Sequence, residues 1–153
     1  MGTEASDIAA LQTAVGHYTA ARFDQAEAIA RRLSRRPEIG EQATLLLGKI
    51  LMESGRAPQA IFELERLVKQ SSGNVDVLMS LHLAHVAARQ VDKAIAVAER
   101  AYEASGRSDS VAASLGAFLV LEGRYTEAEV WHERARAANP VNGKSILGLA
   151  RIY

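Results

Sequence analysis

The chain has 153 residues, in which 18 lysines and arginines balance 18 aspartates and glutamates, so the formal net charge is zero. That balance argues against a dedicated nucleic-acid binder or a polybasic membrane-surface protein, and the absence of cysteine excludes disulfides, thiolate zinc sites and cysteine nucleophiles together. Hydrophobic residues reach 48% but aromatics only 5%, and 28 residues are alanine, a composition that suits closely approaching helices better than sheets.

The first ten residues hold no basic stretch followed by an apolar one, so they do not read as a secretory signal. Gly2 with Ser6 formally fits the N-myristoylation pattern M-G-x-x-x-[ST], a short pattern that recurs by chance. No apolar run reaches 18 residues, so no membrane span is expected and a cytoplasmic location is the default. The alanine- and arginine-rich composition points to a bacterial source.

Helices are then predicted over residues 7–21 and 24–35, 41–54 and 58–70, 75–89 and 92–104, and 109–122 and 126–138. Asp24-Gln25-Ala26-Glu27 and Thr126-Glu127-Ala128-Glu129 read as capping boxes or close to them. Pro58 fits the first turn of its helix, where its missing N–H is harmless. Gly55 and Gly123 fit the turn after a helix, where a positive φ is often needed. The stretches 70–74 and 105–109 break helices between pairs.

These pairs follow a fixed period. Ala26, Ala60, Ala94 and Ala128 are each 34 residues from the last, and Leu47-Gly48 recurs as Leu81-His82, Leu115-Gly116 and Leu149-Ala150. A six-residue lead (1–6) therefore precedes four units, at 7–40, 41–74, 75–108 and 109–142. Residues 143–153 begin a fifth. Small residues at Ala26, Gly48, Ala60, Ala94, Gly116 and Ala128 let the paired helices approach closely.

On these residues the chain resembles the tetratricopeptide repeat (TPR) family, whose unit reads W-x2-L-G-x2-Y…A-x3-F…P over 34 residues. It departs from that pattern at the Trp place, which holds Ala10, Thr44, Leu78 and Ala112, and at the Tyr place, which holds His17, Leu51, His85 and Leu119. The resemblance implies an all-α fold, a right-handed α-solenoid of antiparallel helix pairs with four repeats and a partial fifth. Such arrays present an extended concave surface.

Catalytic signals are thin. No G-x-x-x-x-G-K-[ST], G-x-S-x-G or H-E-x-x-H occurs, so neither catalysis, a cofactor nor a metal is expected of this chain. His82 and His85 lie at i and i+3, a metal-pair spacing, but no third ligand is near in sequence, and buried hydrogen-bonded histidines are the expectation. Trp131-His132 reads as packing. Arg31, Arg32, Arg35 and Arg36 concentrate charge at a helix C-terminus, where cations oppose the dipole; a solvated helix end is expected, an acidic or phosphate contact the alternative. No aromatics are interleaved with them, so nucleic acid is not an expected partner.

In the family, peptide contacts come from fixed places on the first helix of each unit. The resemblance carries these to Leu11, Val15 and Tyr18; to Leu45, Lys49 and Met52; to Met79, Leu83 and Val86; and to Ala113, Ala117, Val120 and Leu121. This surface is largely apolar, with Lys49 and Glu53 the notable charges. Chaperone-binding members clamp a terminal carboxylate with Lys, Asn and Arg, but the corresponding residues here, Leu11, Val15, Leu46, Asp76 and Ser80, include no base. The expected function is a non-catalytic protein–protein interaction scaffold that binds a peptide or amphipathic helix by its apolar face. The alternative is the N-terminal recognition region of a larger bacterial enzyme of glycosyltransferase, sulfotransferase or hydroxylase type. Ile146, Leu147, Leu149, Ile152 and Tyr153 make the final segment apolar on more than one side. That suggests either a fragment of a longer protein or self-association through the C-terminal helix.

Overall fold

The computed structural model describes residues 3–153; the Gly2 pattern lies outside the described residues. These residues form helices in consecutive pairs: α1 (Thr3–Thr19) with α2 (Phe23–Leu33), α3 (Gly40–Glu53) with α4 (Ala57–Gln70), α5 (Val75–Ala87) with α6 (Val91–Ala104), and α7 (Asp109–Leu121) with α8 (Tyr125–Ala138). A ninth helix, α9 (Gly143–Ile152), packs on α7 and α8. Helices contact only their own pair and the adjacent pair, which makes the fold an α-solenoid.

The turn inside each pair is the same structure four times. Ala21, Gly55, Arg89 and Gly123 all have positive φ, at 59°, 74°, 60° and 74°. The N–H of the following residue reaches back to close each helix: Arg22 to His17 O, Arg56 to Leu51 O, Gln90 to His85 O and Arg124 to Leu119 O, at 2.7–2.9 Å. Together with the N–H of the positive-φ residue bonding three back, this is the Schellman closure. Two of the four places hold glycine, for which the conformation is unstrained; Ala21 and Arg89 adopt it against the preference of a side chain.

This turn overrides the expected capping boxes. The residue that closes one helix is also the N-cap of the next, so α2 and α8 start from Arg22 and Arg124 with no side-chain cap. Asp24 and Thr126 fall inside the first turn, where Asp24 complements the helix dipole instead of capping it. The first pair also differs in extent from the expectation: α1 begins at Thr3 and ends at Thr19, and α2 stops at Leu33.

Between pairs a different device recurs. Glu41, second residue of α3, accepts hydrogen bonds from Asn74 Nδ2 (2.7 Å) and Ser71 Oγ (3.4 Å) in the link to α5. Asp109, at the start of α7, likewise accepts from Asn139 Nδ2 (3.1 Å) and Asn142 Nδ2 (2.8 Å) in the link to α9. Asp7, at the same repeat position, pairs with Arg36 at 3.6 Å. Asn74 and Asn142 also cap α5 and α9 with their side-chain oxygens.

The core runs along the stack. Ala26, Ala60, Ala94 and Ala128 are all wholly buried, as the close approach of paired helices requires. One further place shows paired sizes: Gly48 faces Leu64, and Gly116 faces His132, so that an added Cβ would lie 3.2 Å and 2.8 Å from the opposite side chain. The equivalent residues of the other two repeats, Ala14 with Ala30 and His82 with Ala98, also include at least one small partner, and all four are buried. Where one helix offers bulk, the other withdraws it.

Candidate functional site

Three columns run across the first helices at the repeat period. They are Leu11, Leu45, Met79 and Ala113; Val15, Lys49, Leu83 and Ala117; and Tyr18, Met52, Val86 and Val120. On each helix the three places are spaced i, i+4, i+7, so they form one stripe along its axis. Helices α1, α3 and α5 pack side by side in order, as do α7 and α9, which aligns the stripes within each set; between the sets α7 packs on α6 and not on α5.

Leu11, Val15, Tyr18, Leu45, Lys49, Met52, Met79, Leu83, Val86, Ala117, Val120 and Leu121 all keep solvent exposure. Val15 is 44% exposed, Leu83 53% and Leu121 77%. Ala113 is the exception and does not belong to the exposed stripe: its short side chain lies below the surface, wholly buried within the main core. Leu46, one of the places where chaperone-binding members put a clamp residue, is also buried.

Polar chemistry in the stripe is sparse. The Tyr18 hydroxyl donates to the Glu53 carboxylate, tying α1 to α3 across the stripe, and that bond, with burial and the nearby negative charge, raises the Tyr18 pKa. Sequence reasoning singled out both residues but not the bond between them. Lys49 is exposed and forms none of the ion pairs present among the described residues.

The histidines hold structural positions. His82 Nδ1 donates to the Ala94 carbonyl across its helix pair (2.9 Å), and burial lowers its pKa against the pull of that carbonyl. His85 Nδ1 donates to Gln90 Oε1 (2.7 Å), and Arg22 Nε donates to His17 Nδ1 (2.9 Å). Among the described residues no three His, Asp or Glu side chains gather as a metal site. Trp131 is buried with its ring edge-on to Tyr102 at 5.0 Å.

The arginine cluster divides. Arg31 bridges Glu27 (2.8 Å) and Glu63 (3.5 Å), Arg56 joins Glu27, and Arg66 joins Glu63 (2.8 Å), forming a network from α2 to α4. The Arg56 hydrogen bond is the largest influence lowering the Glu27 pKa. Arg35 and Arg36 lie beyond the end of α2 rather than in its last turn. A cavity of about 400 Å³ opens beside Arg36, lined also by Ile8, Leu11, Pro37, Ile39 and Gln42 among others.

Along α9, Leu149 is buried, while Leu147 is 65% and Tyr153 81% exposed. No described helix is long and apolar enough to cross a membrane.

The sequence profile of the tetratricopeptide repeat matches residues 11–75 and 81–152. No curated protein sequence matches the chain. Among solved structures, a tetratricopeptide repeat protein from Parabacteroides merdae ATCC 43184 superposes with a TM-score of 0.80 at 14% identity, covering 96% of this chain and 59% of that longer one. The MamA protein gives 0.76 at 19% identity, covering 100% of this chain and 82% of its own. A thermophilic TPR protein of Thermus thermophilus gives 0.72 at 22% identity, with coverages of 96% and 81%. These likenesses are likenesses of fold.

Proposed function

The chain belongs to the tetratricopeptide repeat family of protein-interaction scaffolds, and from that premise we propose that its concave groove holds a peptide or amphipathic helix by an apolar face, without catalysis. The observation that supports this most is the stripe itself: at three fixed places on the first helices, mostly apolar side chains rest against the core yet keep part of their surface in solvent, Ala113 excepted. An apolar, methionine-containing surface of this kind suits a ligand helix docking through i, i+3/i+4 and i+7 side chains.

Substituting Leu83→Asp together with Val86→Asp places two charges in the middle of the groove, one at an exposed and one at a half-buried place of α5. On a folded protein this abolishes capture of a helical ligand; capture at undiminished strength removes the groove reading.

A second reading is supported by α9. Ile146, Leu147 and Tyr153 form an apolar exposed face, suited to self-association between copies. Light scattering against concentration, on wild type and Leu147→Glu, tests it: a mass that rises for wild type alone supports self-association, and a constant monomer mass for both opposes it.

A further inference from the structure

His132 is wholly buried in the middle of α8, and neither of its ring nitrogens makes a well-formed hydrogen bond, although the Gly116 carbonyl lies near enough to favour the charged ring. The equivalent residues of the other repeats are Ala30, Leu64 and Ala98, all apolar. The ring is pressed between two neighbouring helices at glycines. A Cβ on Gly116 of α7 would lie 2.8 Å from Nε2, and one on Gly148 of α9 only 2.1 Å. Nothing larger than a hydrogen fits between the imidazole and either backbone, so α9 can seat only over a ring that is neutral and needs no solvation.

The charges on the surrounding elements are engaged elsewhere or exposed. On α7, Asp109 is bound by Asn139 and Asn142, and Glu122 faces Arg89. On α8, Glu127 is bound by Arg124, Glu129 by Tyr153 and Glu133 by Arg136, while Arg134 lies over the Trp131 ring. On α9, Lys144 and Arg151 are exposed. None supplies a counter-ion to His132.

We propose that His132 is a proton-operated latch on α9: the neutral ring holds the helix against α7 and α8, and protonation of the ring releases it. Burial lowers the His132 pKa, against the pull of the Gly116 carbonyl. The closed state therefore binds a proton less readily than the open one, and acid favours opening. Release is local because, among the described residues, helix α9 touches only α7 and α8. The Asp109 carboxylate, whose pKa its two asparagine donors lower, keeps the N-cap residue Asn142 tethered while α9 swings away.

The test is amide hydrogen exchange of the whole chain, corrected for intrinsic rates, at pH 7.5 and pH 5.0. For an open-state histidine of ordinary pKa, protection of the α9 amides falls by up to about 30-fold between these values, while amides of α5 and α6 keep theirs. His132→Leu, which installs the residue found at the equivalent place beside Gly48, makes α9 protection independent of pH; His132→Gln serves if the leucine variant does not fold. An α9 change below about twofold in wild type, an equal fall in the variant, or a fall shared by α5 and α6 overturns the latch.

Discussion

Gly148→Ala probes the size matching that seats α9. Adding a methyl group in a helix interior normally stabilises by about 1 kcal/mol. Here the new Cβ would lie 2.1 Å from Nε2 of His132, a flat, rigid ring that is wholly buried and backed on its other side by Gly116. Forced repacking of that kind costs about 1–3 kcal/mol, and the absence of any yielding side places this site at the upper end. The net expectation is a loss of about 1–2 kcal/mol, which lowers Tm by about 2–8 °C in a chain of this length. Gly48→Ala is the control: its Cβ would meet the flexible end of Leu64 at 3.2 Å, a contact that small side-chain shifts relieve, so helix propensity decides and Tm holds or rises slightly. Thermal unfolding followed by far-ultraviolet circular dichroism reads both. In a His132→Ala background Gly148→Ala recovers the ordinary helix-propensity gain, a coupling of about 2–3 kcal/mol. If Gly148→Ala raises Tm like Gly48→Ala, or stays equally costly without the imidazole, the packing argument is wrong.

Other outcomes follow from the same structure. Ala94→Leu, at a wholly buried place whose carbonyl also binds His82, destabilises by about 1–3 kcal/mol through overpacking; an unchanged Tm contradicts its place in the core. Arg89→Gly relieves a positive φ of 60° and stabilises by about 0.5–1 kcal/mol, because its ion pair to Glu122, 3.8 Å long on a 77% exposed side chain, contributes little. For Glu27 the folded pKa lies below the unfolded one, since Arg56 and then Arg31 favour the carboxylate. The ion pair therefore stabilises above the ordinary carboxylate pKa, and its contribution disappears as pH falls through the lowered folded value. Urea unfolding of wild type against Glu27→Gln shows a difference of at most about 1 kcal/mol at pH 7 that closes in acid; a difference that widens in acid reverses the sign.

The helix pairs were legible because one alanine per unit must be small wherever paired helices cross, and a 34-residue step makes that requirement visible four times. The same step locates the turn conformation. Gly55 and Gly123 announce it by residue type, but Ala21 and Arg89 adopt it too, and only their equivalence in the period could reveal that. Capping was misread at Asp24 and Thr126 because the local pattern favours a cap, whereas the Schellman closure fixes the N-cap two residues earlier. The carboxylates Asp7, Glu41 and Asp109 share one repeat place and bind the next link, a signal present in the sequence but diluted by Val75 at the third unit. Ala113 shows the limit of transfer by position: it shares the repeat place of Leu11, Leu45 and Met79, but its methyl group is too short to reach the surface. His132 and its two glycines required three dimensions, since nothing in the sequence says that Gly116 and Gly148 converge on one ring.

The groove is tested most directly by the affinity of a helical peptide, selected from a display library on the wild-type protein, for wild type and for the Leu83→Asp, Val86→Asp variant. Circular dichroism first establishes that the variant is folded. Loss of two apolar contacts of about 1.5 kcal/mol each raises Kd by about 100-fold or more. An unchanged Kd on the folded variant would place the binding surface elsewhere on the solenoid.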